Sequence, residues 1–189
     1  MASKDELDRL LALYNIPRAG WLIRGVPAAF AEDVASHSYL VAVLALRIAR
    51  EARGCGGNVD EGKALTMALI HDLPEALTGD IPRPVKERLG DVVGRLEEEA
   101  LGKLGFAHFK DLYAEVESAA SVEALLVKIA DDLATYLRAV YYLNSGFEGV
   151  RDIAENTRSN VMSLIPRLPG GLRECVQRYV STLLEYKAR

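Results

Sequence analysis

His71, Asp72, Glu75 and Asp80 fall within ten residues of one another, where a helical pattern ends and a loop fixed by Gly79, Pro82 and Pro84 begins. Carboxylates at a helix C-terminus are disfavoured by the helix dipole, so three of them in that region call for a compensating cation. Glu75 follows His71 by four residues, which puts both side chains on one face if the helix continues. A second histidine, His37, shares a helix face with Val34, Val41, Leu44 and Ile48 and so points toward the core. Taken singly, each histidine reads as a buried ring satisfied by a backbone carbonyl. The combination reads differently. Two imidazoles and two carboxylates suit a borderline divalent ion such as Mn²⁺, Co²⁺, Fe²⁺ or Zn²⁺ better than Ca²⁺. A cation of that kind makes a coordinated water acidic enough to act as a nucleophile near neutral pH. The third histidine, in Phe106-Ala107-His108-Phe109, has the context of a structural or surface residue.

The elements that must position these groups show helical periodicity. The pattern predicts helices over 4–14, 32–53, 61–73, 85–104, 108–117, 121–144, 147–163 and 170–187. A loop is expected from Pro17 to Pro27 and an irregular segment from Thr78 to Pro84, with a further break at Pro166 and Pro169. Asp60 is placed to cap the helix that follows Gly54–Asn58. No strand pattern stands out, so the expected fold is all-α, a single domain over residues 1–189. Helix 121–144 is apolar nearly all round, as a central helix is, yet Glu123, Lys128, Asp131, Asp132 and Arg138 interrupt it. Buried charges need partners or a metal. Periodicity alone makes Asp132 the more buried of the two aspartates.

Composition narrows the function. Half of the residues are apolar, a quarter are charged, and the net charge is −4 with a pI near 5.5. The basic surface of a duplex-binding protein is absent, so no nucleic-acid partner is expected. Nowhere do about 18 apolar residues run together, so no membrane span is expected. Cys55 and Cys175 have no CxxC spacing, and two scattered cysteines in a chain of this length do not make a disulfide framework, so the chain is expected to be cytoplasmic. Neither a Gly-x-Ser-x-Gly elbow nor a P-loop occurs, which argues against a serine nucleophile and against ATP-driven chemistry.

The order His37, His71-Asp72 and a later aspartate resembles the HD-domain metal-dependent phosphohydrolases. The flanking text is more specific: Arg18-Ala19-Gly20-Trp21, Arg24-Gly25-Val26, Glu32-Asp33-Val34-Ala35-Ser36-His37-Ser38, His71-Asp72-Leu73-Pro74-Glu75-Ala76-Leu77-Thr78-Gly79-Asp80-Ile81-Pro82, Pro84-Val85-Lys86 and Lys128-Ile129-Ala130-Asp131. Together these resemble the 5′-deoxynucleotidase branch, YfbR-like, over residues 7–144. Position 36 is serine, where relatives often carry an acidic residue, and Ala19-Gly20 separates Arg18 from the tryptophan. The resemblance implies an all-helical HD bundle around one metal site, with a single divalent ion (Mn, Co, Fe, Zn or Mg) held by His37, His71, Asp72 and Asp131. Its Lys-x-Ala-Asp context favours Asp131, with Asp132 as runner-up. It implies hydrolysis of deoxynucleoside 5′-monophosphates, with Glu75 and Asp80 catalytic and Arg18, Trp21 and Lys86 binding substrate. It implies a homodimer as well, and Val176, Tyr179, Val180, Leu183, Leu184 and Tyr186 offer a stripe that serves equally as core. Glu32 is expected to pair with Arg18 or Arg24.

Two other readings share these residues. The same metal site would serve an HD hydrolase of a triphosphate, a cyclic nucleotide or a non-nucleotide phosphomonoester. A metal-stabilised binding module without activity would instead close its coordination shell.

Overall fold

The computed structural model describes residues 4–186, and among them there are helices but no strand. The helices are α1 (Lys4–Ala12), α2 (Ala19–Ile23), α3 (Val34–Gly54), α4 (Glu61–Ile70), α5 (Glu75–Thr78), α6 (Arg83–Leu89), α7 (Asp91–Lys103), α8 (Lys110–Ser118), α9 (Val122–Asn144), α10 (Arg151–Leu164) and α11 (Gly170–Leu184). The expected all-α fold is what the chain adopts. The last residue of the helix expected over 170–187 lies outside the described residues.

Local chemistry sets the boundaries. Asp33, Asp60 and Ser121 cap α3, α4 and α9, each accepting a backbone N–H three residues on. The helix expected to reach residue 73 ends at Ile70. Pro74 has no N–H to offer the Ile70 carbonyl, and the chain tightens into three-residue turns, Leu73 N–H to Ile70 O at 3.2 Å and Glu75 N–H to Asp72 O at 3.1 Å. The single helix expected over 85–104 is two, because Gly90 takes φ +54° between α6 and α7. The expected loop from Pro17 to Pro27 contains the short helix α2.

The core explains the order of the elements. α9 runs through the centre and packs against α3, α4 and α10, while α11 closes over α3. Leu126, Ile129, Leu133, Ile48 and Met67 are fully buried there, each contributing roughly 1.5–3 kcal/mol. Val176, Val180 and Leu184 of α11 join this core, so most of the C-terminal stripe is spent on the monomer. A second apolar cluster, with Ile70, Leu73, Leu101, Leu104 and Tyr113, clamps α5 against α7 and α8. No disulfide framework is expected from the sequence, yet one disulfide forms. Cys55, just past the end of α3, and Cys175 on α11 form a disulfide with Cα atoms 6.4 Å apart. A separation of 120 residues leaves no local signal of that pairing.

Candidate metal centre and substrate cavity

His37 lies one turn into α3, and the cap fixes its height: Asp33 accepts from the Ser36 N–H at 2.7 Å and the Ser36 hydroxyl at 3.0 Å. His71 closes α4. Its Nδ1 is 2.7 Å from the Ala68 carbonyl, so Nδ1 carries the proton and the Nε2 lone pair points inward. That Nε2 is buried and has no hydrogen-bond partner among the described residues, while Asp72 Oδ2 lies 3.2 Å away. His37 Nε2 sits 3.7 Å from the same Asp72 oxygen and 3.0 Å from Asp131 Oδ1. One ligand atom from each of His37, His71 and Asp72 falls within 4.8 Å of the others. An orphaned imidazole nitrogen beside two carboxylates fits a divalent cation, with Asp131 adjoining as a fourth donor.

The two aspartates of α9 separate cleanly. Asp132 is the more buried, as periodicity expects, but its Oδ1 accepts from Arg83 at 3.2 Å and from Asn160 at 3.3 Å. Asp131 turns instead to His37. Burial alone would raise Asp131 and Asp72, but the imidazoles, and Arg18 beside Asp72, hold both well below the usual carboxylate range. Burial and the neighbouring Asp131 charge push Asp132 up to about 6.

A cavity of about 710 Å³ opens beside this cluster, between α2, α6, α9 and α10. Arg18, Trp21, Asp80, Arg83, Asp132 and Asn160 are in its wall. Arg18 connects the two features, with Nη1 3.1 Å from Asp72 Oδ2. Burial opposes its charge, yet Asp72, Asp131, Asp80 and Glu75 outweigh that and hold its pKa above the ordinary value. Asp80 follows Gly79, whose φ of +71° turns the chain at the end of α5. Its carboxylate accepts the Ala19 backbone N–H and ties the loop to the start of α2. Trp21 is almost fully buried, edge-on to Tyr142 at 5.1 Å, and its indole N–H donates to Glu32 at 3.3 Å.

Glu75 is buried, with Oε2 unpartnered among the described residues. Burial first, then the Asp72 charge, push its pKa up to about 9. Lys86, expected to meet substrate, is outside the cavity wall. Its Nζ lies 2.8 Å from Glu97 and 3.6 Å from Glu75. Burial opposes the Lys86 charge, but Glu97 and Glu75 outweigh it and raise the pKa. Arg18 pairs with Asp72 and Arg24 with Asp152, so neither is the partner expected for Glu32. Glu32 accepts from Arg138 Nε at 3.2 Å and lies 3.7 Å from His37 Nδ1. His108 is exposed and packs against Phe109.

Sequence reading missed Glu32 as a neighbour of His37, and it missed Glu97, Arg83 and Asn160 altogether. A signal existed for Glu97, a carboxylate on the same α7 face as the buried Val93, Ala100 and Leu101.

Two histidines and two aspartates brought together inside a bundle of this architecture define the HD phosphohydrolase fold. The cyanophage S-2L HD phosphohydrolase DatZ, bound to dA and one catalytic Zn²⁺, shares it with a TM-score of 0.67 at 19% identity, covering 98% of both chains. The chain belongs to the YfbR-like 5′-deoxynucleotidase family, which matches residues 10–180. A conserved hypothetical protein from Pyrococcus furiosus is 36% identical, covers 95% of this chain and 99% of its own, and superposes with a TM-score of 0.80. The 5′-deoxynucleotidase hdd1 of Schizosaccharomyces pombe is 27% identical over 90% of this chain and 87% of its own. The Escherichia coli 5′-deoxynucleotidase YfbR is 31% identical over 61% of this chain and 63% of its own.

Proposed function

We propose that this chain is a metal-dependent 5′-deoxynucleotidase that converts deoxynucleoside 5′-monophosphates to deoxynucleoside and phosphate. The observation that carries the reading is the buried, unpartnered His71 Nε2, set among His37, Asp72 and Asp131 beside a cavity that Arg18 and Asp80 enter. The relatives named as 5′-deoxynucleotidases support the substrate class. His37, His71, Asp72 and Asp131 are the ligands of one divalent cation, Mn, Co, Fe, Zn or Mg. When bound, that ion supplies Lewis-acid polarisation of the phosphate and a lowered pKa for water.

The other groups divide the remaining work. Arg18 spends one of its five donors on Asp72 and has others for the equatorial phosphate oxygens. Water oxygen bonds to phosphorus as the bond from phosphorus to the 5′ oxygen breaks. Glu75 handles the proton passed from the attacking water to that leaving oxygen. Asp80, fixed by its bond to Ala19, orients the sugar side of the pocket. Trp21 is a rigid wall there, because Glu32 and Tyr142 hold its ring. Lys86 adds positive charge behind Glu75.

The test is phosphate release from a panel of deoxy- and ribonucleoside monophosphates, using chelator-stripped protein resupplied with each metal. Release restored by metal from the deoxy series is the expected result. Turnover of triphosphates or cyclic nucleotides alone would overturn the substrate assignment.

The assembly is a homodimer in this reading. With α11 committed to the core, Tyr39, Val43 and Leu46 of α3 remain exposed at helical spacing, with Tyr141 and Tyr186 also exposed. A sedimentation mass of one chain would refute it. No described helix is long and apolar enough to cross a membrane. The cytoplasm is the proposed compartment; the Cys55–Cys175 bond removes the cysteine argument for it, and fractionation is the test.

A further inference from the structure

We infer that Glu97, backed by Tyr113, is a positioning residue that acts on Glu75 through Lys86. The inference rests on the reading of Glu75 as the proton-handling group. Glu97 lies on the apolar face of α7 and is only 3% exposed. A carboxylate in such a place is costly unless both oxygens are satisfied. Here they are. Oε2 accepts the Tyr113 hydroxyl at 2.9 Å, and Oε1 meets Lys86 Nζ at 2.8 Å. The line does not stop at the lysine, whose Nζ is also 3.6 Å from Glu75 Oε1. Glu75 Oε2 is left buried and unpartnered among the described residues.

A structural ion pair would need only Lys86 and Glu97. Sharing one ammonium between two carboxylates does more, because Glu97 then sets where the lysine stands relative to Glu75. The four-carbon stem of Lys86 is flexible and about one-third exposed, so it has no fixed position without that anchor. The phenol of Tyr113, pushed up by burial and by Glu117 and Glu97, stays protonated and serves as the donor that fixes the Glu97 rotamer. Glu97 is on α7 and Tyr113 on α8, the two helices that clamp α5, while Lys86 reaches them from α6, so a polar line runs beside the apolar contacts of the clamp.

The experiment compares the metal-reconstituted wild type with Glu97→Gln, Tyr113→Phe, Lys86→Met and the double variant Glu97→Gln/Lys86→Met. Positioning predicts that Glu97→Gln lowers kcat about tenfold with KM within about twofold. It also predicts that this effect disappears in the Lys86→Met background, since the glutamate acts only through the lysine. Tyr113→Phe gives the same pattern at about threefold and keeps the test open if Glu97→Gln fails to fold. A second readout needs no turnover. Reductive methylation of Lys86 in the folded, metal-free protein should be several times faster in Glu97→Gln and in Tyr113→Phe than in wild type. Unchanged kcat, an effect that persists in the Lys86→Met background, or equal labelling rates would overturn the inference. A wild type that releases phosphate from no monophosphate would count against the proposed function instead, and the labelling rates would still decide whether Glu97 holds Lys86.

Discussion

Glu32→Gln should weaken the affinity of the centre for its metal without changing any ligand. Glu32 is buried, 4% exposed, and serves three groups at once. Oε2 accepts the Trp21 N–H at 3.3 Å and lies 3.7 Å from His37 Nδ1, while Oε1 accepts from Arg138 Nε at 3.2 Å. A carboxylate behind a ligating imidazole fixes the ring and makes the facing nitrogen more basic, and losing it typically costs 10–100-fold in metal affinity. The 3.7 Å separation is long for a hydrogen bond, so the lower end applies, about tenfold or roughly 1.4 kcal/mol. Glutamine keeps the shape and an acceptor for Trp21 but removes the charge that His37 and Arg138 face. Titration of chelator-stripped protein with Mn²⁺ or Zn²⁺, by calorimetry or against a competing indicator, reads the constant directly. Thermal melts of both proteins establish that the variant is folded. A dissociation constant within twofold of wild type in a folded Glu32→Gln protein would show that Glu32 supports Trp21 and Arg138 and does nothing for His37.

Three further predictions concern metal, covalent link and pH. Asp131→Asn should lose most of its metal affinity while Asp132→Asn keeps it, because Asp131 meets His37 and Asp132 meets Arg83 and Asn160; equal losses by titration would remove the distinction. Reducing the Cys55–Cys175 bond, or replacing Cys175 by serine, should cost about 2–4 kcal/mol for so long a loop. That corresponds to a melting temperature lower by about 5–15 °C, and two free thiols in unreduced, denatured protein would refute the pairing. In metal-free protein, Asp132 has a folded pKa of about 6 against an unfolded value of 3.8. The folded state therefore binds the proton more tightly, and stability on this account rises as pH falls from about 6 toward 4. Asp132→Asn should thus be more stable than wild type at pH 8 by about 1–3 kcal/mol, with the difference gone below pH 4. Urea melts showing the opposite order at pH 8 would contradict it.

What could be read in the sequence was chemistry carried by neighbours along the chain. His71, Asp72 and Glu75 lie within five residues of one another, so closeness along the chain groups them even though α4 ends at Ile70 and α5 starts at Glu75. His37 shares a helix face with four apolar residues. The aspartates of α9 mark where that method ends. Periodicity correctly ranks Asp132 as the more buried, yet burial is a property of position, whereas ligation depends on where the carboxylate points. The direction is set across helices, by His37 on α3 for Asp131 and by Arg83 and Asn160 on α6 and α10 for Asp132. Glu97 and the disulfide escaped for the same reason, since their partners lie 11 to 120 residues away, and so did the hydrogen bonds of Glu32 to Trp21 and Arg138. His37, five residues on, is by contrast a near neighbour of Glu32. Even the ends of α4 and α6, local as they are, turned on single residues, Pro74 without its N–H and Gly90 at positive φ. The centre is therefore built at two ranges: ligand types fixed by short motifs on separate helices, and ligand directions fixed by buried partners between them. Substitutions in the second set should change affinity and rate while leaving the proposed ligands intact, which makes Glu32 and Glu97 the informative positions at which to perturb this site.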